Sequence, residues 1–340
     1  MDRISKFTSA AITWRERIAN ANTIMLVTHV NPDGDAIGSL IGLMMALPQL
    51  TDAEIIPVLQ QPIPVYLDWV QGIEHSVAIG ADKPWPNPDL IIAVDCASAE
   101  RLGGIAPQHM HHITHTAVIQ IDHHATNTLF AVDNLILPDS CATCEIVTEF
   151  LPYLGITVTA GIATPLLLGI MTDTQSFQIY DTTAKTLSLG ASLFTAGADH
   201  ARIVSKVFRS TRLEALTLAS RVINDMHTHG KVVWCGVPLS WVDELNATDD
   251  ESDEALLMLQ RIEGPEVIML IKQRSQGVKI SLRSRAVNVA SVAKKHGGGG
   301  HIHAAGINFA DHSIDSAAAL LLPDLMALCT DLSASTNRSA

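Results

Sequence analysis

The sequence predicts an α/β protein made of two domains. Between residues 20 and 195, short runs of apolar and β-branched residues alternate with stretches of helical periodicity, as in a parallel sheet connected by helices. One run, residues 90–94, is apolar throughout, which is typical of a central parallel strand. Further along, Gln276 and Gly277 separate two strand-like runs and predict a hairpin turn.

We therefore expect an N-terminal domain with a parallel sheet and helices on both faces, followed by a smaller α/β C-terminal domain. The first domain is assigned to residues 1–197 and the second to residues 212–335. Residues 198–211 carry charges of both signs with little apolar pattern, so they are predicted to form the linker region. The tail after Thr336 is expected to fray.

The individual elements follow from local patterns. A first amphipathic helix ends before Asn20, where a strand-like run begins. Strands are predicted where short runs are apolar and β-branched, at residues 23–28, 54–59, 90–94, 117–121, 231–237, 267–273 and 278–284. Helices are predicted where apolar residues recur at helical spacing, at residues 36–44, 65–70, 141–153, 162–171, 183–194 and 289–295. The acidic stretch 249–254 is interpreted as the solvated start of a further helix.

Composition limits the class of protein. The chain has 340 residues and a mass of 36.5 kDa, enough for two cores. No apolar run approaches the roughly 18 residues that cross a bilayer, and the N-terminus lacks the apolar core of a signal peptide, so we expect a soluble cytoplasmic protein.

Five scattered cysteines favour free thiols over a disulfide framework. Cys141 and Cys144 have CxxC spacing, which we interpret as buried helix cysteines rather than a zinc or redox site.

Charge is unevenly distributed along the chain. The formal net charge of -13 argues against a protein that tracks long nucleic acid by neutralising phosphates. Residues 267–310 nevertheless contain no Asp or Glu. The basic residues of this segment are Lys272, Arg274, Lys279, Arg283, Arg285, Lys294 and Lys295. We interpret this pattern as a cation-binding acidic half and an anion-binding basic half.

Polar residues collect at the ends of the predicted strands. His29, Asp33 and Asp35 lie in the turn between the first strand and the next helix. A helix cap would also explain the two carboxylates, but a buried imidazole beside two like charges is costly unless a cation neutralises the group. Asp95 follows the run 90–94, and Asp122-His123-His124 ends the run 117–121. In a parallel sheet these ends meet at the ligand-binding edge.

Together with Asp173, these residues suggest a metal site. The candidate ligands are His29, Asp33, Asp35, Asp95, His123 and Asp173. Mixed nitrogen and oxygen donors suit Mn²⁺, with Mg²⁺, Co²⁺ or Zn²⁺ as alternatives. Four carboxylates are more than one ion needs, so two divalent ions that share a carboxylate are expected. The four histidines within residues 109–115 could also bind metal, but we interpret them as an exposed helix-to-strand connection.

Five separated motifs carry a resemblance to a known family. They are T-H-x-x-P-D-G-D-A-x-G-S at residues 28–39, Asp95, Asp122-His123-His124, Asp173-Thr174, and Gly297-Gly-Gly-Gly-His301 followed by Ala304-Ala305-Gly306. In this order, over roughly residues 20–310, the chain resembles the DHH phosphoesterases. It is most similar to the type with oligoribonuclease (nanoRNase) and PAP phosphatase activity, where PAP is 3'-phosphoadenosine 5'-phosphate.

The resemblance implies a division of roles among the site residues. One ion would be held by His29, Asp33 and Asp95, and a second by Asp35, Asp95, His123 and Asp173, with Asp95 bridging the two. Asp122 would orient a histidine, and His124 would face the scissile phosphate as a donor. Asp95, Asp122 and His124 are thus the candidate catalytic residues, and a hydroxide activated by two metals would attack phosphorus.

The C-terminal motifs would bind the substrate. Ser281, Arg283, Ser284, Gly298, Gly299, Gly300 and His301 are the candidate substrate-binding residues. Glycines let backbone N–H groups approach an anion, and Arg283 and His301 supply donors for a phosphate. Four successive glycines could alternatively form a hinge. The chain departs from the family pattern at His303, where many relatives have a basic residue, and at Gln175, where glycine is frequent.

The expected substrates are short. They are oligoribonucleotides of a few units, linear dinucleotides such as pApA or pGpG, and PAP. Other hydrolases of the family, such as a cyclic-dinucleotide phosphodiesterase or an inorganic pyrophosphatase, remain alternatives, as does a non-catalytic nucleotide-binding module. A DNA exonuclease acting on long strands would need an added domain and a basic track that the sequence lacks. A homodimer is left open.

Overall fold

The structure is a computed structural model that describes residues 2–179 and 181–336, with side chains to residue 330. The chain divides into two compact units after Ser210. Within the predicted linker region, His200–Ile203 and Val204–Phe208 are helical, and Ile203 is buried in the core of the first unit. The tail predicted to fray lies outside the described residues.

The first unit begins with a long helix and continues as alternating strands and helices. In chain order these are α1 (Arg3–Asn20), β1 (Thr23–Val27), α2 (Gly34–Ala46), β2 (Glu54–Val58), β3 (Leu90–Val94), α3 (Met110–Ile113), β4 (Ala117–Asp122), β5 (Asp133–Ile136), α4 (Thr143–Leu154), α5 (Ala160–Asp173), α6 (Ala184–Thr195) and α7 (His200–Ile203). The helix predicted at residues 65–70 is a short 3₁₀ turn, Val65–Leu67.

Five parallel strands form the sheet of this unit, in the order β2-β1-β3-β4-β5. The predicted fold class is confirmed, although the sequence pattern did not predict β5. The strand order changes direction between β1 and β3. In open α/β sheets such a point creates a crevice at the carboxyl ends of the strands.

Both faces of the sheet are covered, but by different kinds of structure. Ile24 and Leu26 of β1 pack into the larger core, which also contains residues of α1, α2, α4 and α5. Met25 and Val27, the alternate residues of the same strand, contact the smaller core on the other face. That second face is covered mainly by 3₁₀ turns, loops and the short α3.

Close packing between α2 and α5 depends on glycine. Gly34, Gly38 and Gly42 follow one another at intervals of four residues along α2. A methyl group added at Gly38 would overlap the carbonyl oxygen of Pro165, and one at Gly42 would overlap the Leu166 side chain. The missing side chains therefore bring the backbones of α2 and α5 close together, and with them Asp35 on α2 and Asp173 at the end of α5.

The second unit is a mixed sheet with helices on both faces. Its elements are α8 (Leu213–Asn224), β6 (His227–His229), β7 (Val232–Val237), α9 (Leu239–Glu244), α10 (Asp253–Leu259), β8 (Val267–Gln273), β9 (Val278–Ser284), α11 (Val289–Lys295), β10 (Gly299–His301), β11 (Ala304–Phe309) and α12 (Ile314–Thr336). The strand order is β10-β11-β9-β8-β7-β6, and only β7 and β8 are parallel neighbours. Among the residues described, no helix is both long and apolar enough to cross a membrane.

Two local predictions in the second unit have different outcomes. The hairpin is confirmed, since β8 and β9 are antiparallel and Gly277 has a positive φ of 70° between them. The acidic stretch is not simply a solvated helix start. Asp249 and Asp253 both pair with Lys272, whose side chain is only 1% exposed, at 3.3 and 2.9 Å.

The first testable prediction concerns the contact between α2 and α5. Gly38→Ala should destabilise the fold by about 1–3 kcal/mol, because the new methyl group forces the two helices apart. Gly161→Ala on α5 is the matched control, since its methyl group would lie 3.5 Å from Met45 Sδ in an ordinary contact. Urea unfolding measures both variants. Equal stability of Gly38→Ala and wild type would contradict the packing argument.

Candidate metal centre

The predicted ligands of the first unit meet at the crevice between β1 and β3. His29 lies two residues beyond β1, Asp95 directly follows β3, and Asp122 is the last residue of β4. Because these strands are parallel neighbours, their carboxyl ends reach the same edge of the sheet. Asp35 comes from the first turn of α2, and Asp173 from the last residue of α5.

Asp33 caps α2 and also lies beside His29. Its Oδ1 accepts hydrogen bonds from the backbone N–H groups of Asp35 and Ala36, both at 3.1 Å, so it is the N-cap of α2. The same oxygen lies 3.9 Å from Nε2 of His29. The cap therefore holds the carboxylate next to an imidazole, and capping does not compete with metal binding at this position.

Asp95 stands at the centre of the cluster. Its carboxylate is nearly inaccessible, with the residue 2% exposed. Oδ2 lies 3.4 Å from Nε2 of His29, while Oδ1 lies 3.6 Å from Nε2 of His123. The two oxygens of one carboxylate thus face two different imidazoles. The backbone of Asp95 has a positive φ of 51°, an uncommon conformation for a residue with a side chain.

Asp35 is held by the N-terminus of α4. Its Oδ2 accepts a hydrogen bond from the backbone N–H of Thr143 at 2.6 Å, and its Oδ1 accepts one from Cys144 at 2.8 Å. Backbone N–H groups in the first turn of a helix favour a negative charge. A methyl group on Gly169 of α5 would crowd Asp35 Oδ1 and overlap the Cys144 side chain. Glycine at this position therefore allows α5 to pass close to the carboxylate.

The imidazoles are anchored through Nδ1. Nδ1 of His29 lies 2.8 Å from the carbonyl oxygen of Val30, and Nδ1 of His123 lies 3.3 Å from that of Ser140. Because a carbonyl can only accept, Nδ1 carries the hydrogen in both contacts. Nε2 of each ring is directed at the carboxylates, and that of His123 also lies 3.4 Å from Oδ2 of Asp173. Such an anchor is typical of histidines that bind metal.

The buried carboxylates have altered acidities. Burial raises the pKa of the Asp35 carboxyl, and the charge of Asp95 raises it further. Burial and the charge of Asp35 also raise the pKa of Asp173. Burial acts in the same direction on Asp95, but its contacts with His29 outweigh this, and the pKa lies well below its usual range. Burial lowers the pKa of His29, whereas Asp95 and Asp33 raise it to about 9.

These side chains form two adjacent groups. In the first, ligand atoms of His29, Asp33 and Asp95 lie within 4.8 Å of one another. In the second, the same is true of Asp35, His123 and Asp173. No Lys or Arg forms an ion pair with these carboxylates within residues 2–179 and 181–330. Oxygen and imidazole donors without a neutralising Lys or Arg suit divalent metal ions.

Asp122 orients His124 rather than joining either group. Its Oδ1 accepts hydrogen bonds from Nδ1 of His124 at 2.7 Å and from the backbone N–H of His123 at 2.9 Å. Its Oδ2 accepts one from Nδ2 of Asn127 at 2.6 Å. Burial lowers the pKa of His124, but the hydrogen bond to Asp122 and the charge of Asp95 raise it above its ordinary value. His124 is thereby fixed in one orientation beside Asp95.

Sequence reasoning missed Thr143 and Asn127. The hydroxyl of Thr143 donates to Asp95 Oδ1 at 2.9 Å, and Asn127 supports Asp122. Asn127 lies three positions after His124, so its position next to the Asp122-His123-His124 motif could have indicated a role in the site. Thr143 had no such signal, because its two carboxylate partners are distant in the sequence.

A left-handed turn follows Asp173. Gln175, Ser176 and Phe177 have positive φ angles of 48°, 59° and 64°. The hydroxyl of Thr174 accepts a hydrogen bond from the backbone N–H of Phe177 at 2.9 Å and ties the turn to the end of α5. Glycine would adopt the backbone conformation of Gln175 without strain.

The candidate substrate residues lie on the edge strand β10, just before it, and on the inner strand β9 of the second sheet. Gly299–His301 is not a loop but the edge strand β10, paired with β11, so the hinge interpretation fails for these residues. Arg283 of β9 pairs with Ala304, which in turn pairs with His301. Paired residues of antiparallel strands project from the same face, so Arg283 and His301 share a face of the sheet.

The other candidates in this unit differ in their contacts. Ser281 is only 9% exposed. Ser284 donates its hydroxyl hydrogen to the carbonyl oxygen of Val287 at 2.5 Å, and its oxygen lies 3.1 Å from Nδ1 of His303. A methyl group added at Gly298 would overlap the backbone carbonyl oxygen of Gly306. Gly300 has a positive φ of 136°. Burial lowers the pKa of the Arg283 guanidinium.

The remaining histidines and cysteines have structural contacts. His112 stacks on Trp85, with ring centroids 5.0 Å apart and planes 10° apart. His109 and His111 contact backbone carbonyl groups, in keeping with the interpretation as a surface connection. All five cysteines are free and buried. Burial raises the pKa of the Cys141 thiol, and a hydrogen bond to Glu145 raises it further, which makes this thiol unreactive.

Comparison with known proteins identifies relatives along most of the chain. The profile of the DHH family, N-terminal domain, matches residues 23–170, and that of the DHHA1 domain matches residues 229–322. A bifunctional oligoribonuclease and PAP phosphatase of Thermus thermophilus is 34% identical over 298 residues, which cover 86% of each chain. A Mycoplasma genitalium protein of the same name is 28% identical, with 85% of this chain and 89% of that protein covered.

A solved structure supports the same architecture. The crystal structure of an exopolyphosphatase-related protein from Bacteroides fragilis superimposes with a TM-score of 0.81 at 21% identity. The superposition covers 96% of this chain and 97% of the other. The resemblance inferred from five short motifs is thus confirmed by the two domain profiles and by the Thermus thermophilus relative. The chain belongs to the DHH family.

Proposed function

We propose that the protein is a metal-dependent phosphoesterase that hydrolyses short oligoribonucleotides, including linear dinucleotides, and also PAP. The main structural support is the position of Asp95, whose two carboxylate oxygens face His29 and His123 separately. A carboxylate between two groups of ligands suits a pair of cations, and paired cations promote hydrolysis of phosphate esters. The names of the two relatives support the choice of substrate.

The proposal includes two divalent ions, most simply Mn²⁺. One would be held by His29, Asp33 and Asp95, and the other by Asp35, Asp95, His123 and Asp173. The distances within the two groups support this division. Imidazole together with carboxylate favours Mn²⁺ over Mg²⁺, which prefers oxygen and retains more water. Bound there, the ions would neutralise phosphoryl charge and lower the pKa of the attacking water.

The protein's own side chains would position the substrate. His124, anchored by Asp122 at 2.7 Å, is proposed as a hydrogen-bond donor to the scissile phosphate. In the second unit, Arg283 and His301 share one face of the sheet and are proposed to bind a terminal phosphate of the substrate. The proposal places the protein in the cytoplasm, because buried free thiols fit a reducing compartment.

Substrate length provides the direct test of this proposal. With Mn²⁺, we expect release of mononucleotides from RNA of two to five nucleotides and of phosphate from PAP, with turnover falling steeply toward chains of roughly two dozen nucleotides. Long chains need an extended cationic track, which a net charge of -13 does not favour. Inorganic pyrophosphate and cyclic dinucleotides are measured in parallel. Preferential hydrolysis of either would refute the proposed substrate class.

The role of Asp95 can be tested with two aspartates at opposite ends of one strand. Asp95→Asn should lower kcat by roughly 10²- to 10³-fold or more, because it removes charge from the shared carboxylate. Asp89→Asn is the control, since Asp89 precedes β3 and accepts hydrogen bonds from the backbone of Asn22 and Thr23. Circular dichroism checks that both variants fold. Near-normal turnover of Asp95→Asn would exclude the central role of this residue.

Metal binding should also depend on pH in a defined direction. The pKa of His29, raised to about 9, means that this ring in the metal-free protein retains a proton that a cation displaces, and the raised pKa values of Asp35 and Asp173 act in the same direction. Mn²⁺ should therefore bind more tightly as the pH rises from roughly 6 to roughly 8. Calorimetric titration in two buffers of different ionisation enthalpy counts the protons released. A Kd for Mn²⁺ that stays constant over this range would contradict the assignment.

A further inference from the structure

Thr143 occupies a special position at the start of α4. It is the first residue of the helix and is fully buried. Its backbone N–H donates to Oδ2 of Asp35 at 2.6 Å, and its hydroxyl donates to Oδ1 of Asp95 at 2.9 Å. Thr143 therefore contacts one carboxylate from each of the two groups of candidate ligands.

The contact with Asp95 matters because few other donors restrain Oδ1. The nearest imidazole nitrogens, Nε2 of His123 and Nδ1 of His124, lie 3.6 and 3.7 Å from this oxygen. Nδ1 of His124 is already directed at Asp122. Among the contacts described, the Thr143 hydroxyl, at 2.9 Å, is therefore the side-chain donor nearest to Asp95 Oδ1. Without it, the contact of Oδ2 with His29 at 3.4 Å would remain as the main restraint on rotation of the carboxylate about its Cβ–Cγ bond, within the described part of the chain.

Electrostatic repulsion gives this restraint a purpose when both carboxylates are charged, as metal binding requires. Asp35 and Asp95 are both buried, and two carboxylates in a dry environment repel each other strongly. A donor fixed to both keeps them at one separation, with Asp95 Oδ2 turned to His29 and Oδ1 turned to His123. Preorganised ligands bind a cation more tightly, because less free energy is used to reorganise them when the ion arrives.

We propose that Thr143 is a positioning residue that fixes the orientation of Asp95 relative to Asp35 and thereby sets the affinity of the centre for divalent cations. The inference rests on the metal centre of the proposed function. It does not depend on which phosphate ester is the substrate. Thr143 itself need not contact either ion.

The test compares three variants of the full chain. Thr143→Val keeps the shape and the backbone N–H but removes the hydroxyl, while Thr143→Ser retains the hydroxyl. Thr148→Val is the matched control, because Thr148 is buried on the same helix and its hydroxyl donates only to the carbonyl oxygen of Cys144, at 2.7 Å, among the hydrogen bonds described. After removal of metal with a chelator, the electron paramagnetic resonance signal of free Mn²⁺ reports binding. Urea unfolding of the metal-free forms checks the fold.

We expect Thr143→Val to raise the Kd for Mn²⁺ by roughly 10- to 100-fold. Thr143→Ser and Thr148→Val should bind Mn²⁺ as wild type does. Should Thr143→Val fail to fold, Thr143→Ala is measured in its place with the same expectation. A Kd unchanged in the variant without the hydroxyl, an equal loss in Thr148→Val, or failure of Thr143→Ser to restore binding would each overturn the inference.

The outcomes also separate this inference from the proposed function. Wild-type protein that binds Mn²⁺ but hydrolyses none of the phosphate esters refutes the proposed function, and the role of Thr143 is still decided by the binding data. Wild-type protein that binds no Mn²⁺ refutes the metal centre and the inference together. Normal hydrolysis by wild type with an unchanged Kd in Thr143→Val refutes only the inference.

Discussion

The central constraint on this structure is the close approach of buried carboxylates. Asp35 and Asp95 lie where water is largely excluded, with the partly exposed Asp173 beside them, and desolvation together with mutual repulsion raises the pKa of Asp35 and of Asp173. Such an arrangement costs folding free energy unless protons or cations neutralise it. A protein that has no need for cations gains nothing from this cost. The folding free energy lost by bringing these carboxylates together is therefore best explained by their use as ligands of a metal centre.

The backbone meets this constraint through three features that act on the same residues. The change of direction in strand order opens a crevice beside Asp95. Glycines on α2 and Gly169 on α5 let the two helices approach, which brings Asp35 and Asp173 together. The N-terminus of α4 then supplies N–H donors to Asp35. Helix packing and helix capping thus serve the same cluster, and a change in either displaces ligands as well as core residues.

The sequence predicted the long apolar strands better than the short ones with few apolar residues. The apolar β1, β3, β4, β7 and β8 were visible because buried parallel strands are continuous apolar runs. The strands that were missed are the short edge strands β5, β6 and β10 and the inner strand β11, and four successive glycines gave no sign that Gly299–His301 would pair with β11. In the site, the candidate ligands stood at strand ends and could be found. Thr143 could not be found, because its hydrogen bonds join residues that only the fold brings together.

The metal centre alone does not determine what the protein hydrolyses. Paired cations stabilise charge on any phosphoryl group, and the same fold occurs in an exopolyphosphatase-related protein. Selectivity must therefore come from groups that recognise the rest of the substrate. In the second unit the proposed groups are donors fixed on strands, with Arg283 and His301 on one face of the sheet and an edge strand of glycines. A rigid edge of this kind discriminates by the position of a phosphate rather than by base identity. Recognition of a terminal phosphate would favour short substrates, in which that phosphate is never far along the chain from the bond to be cleaved.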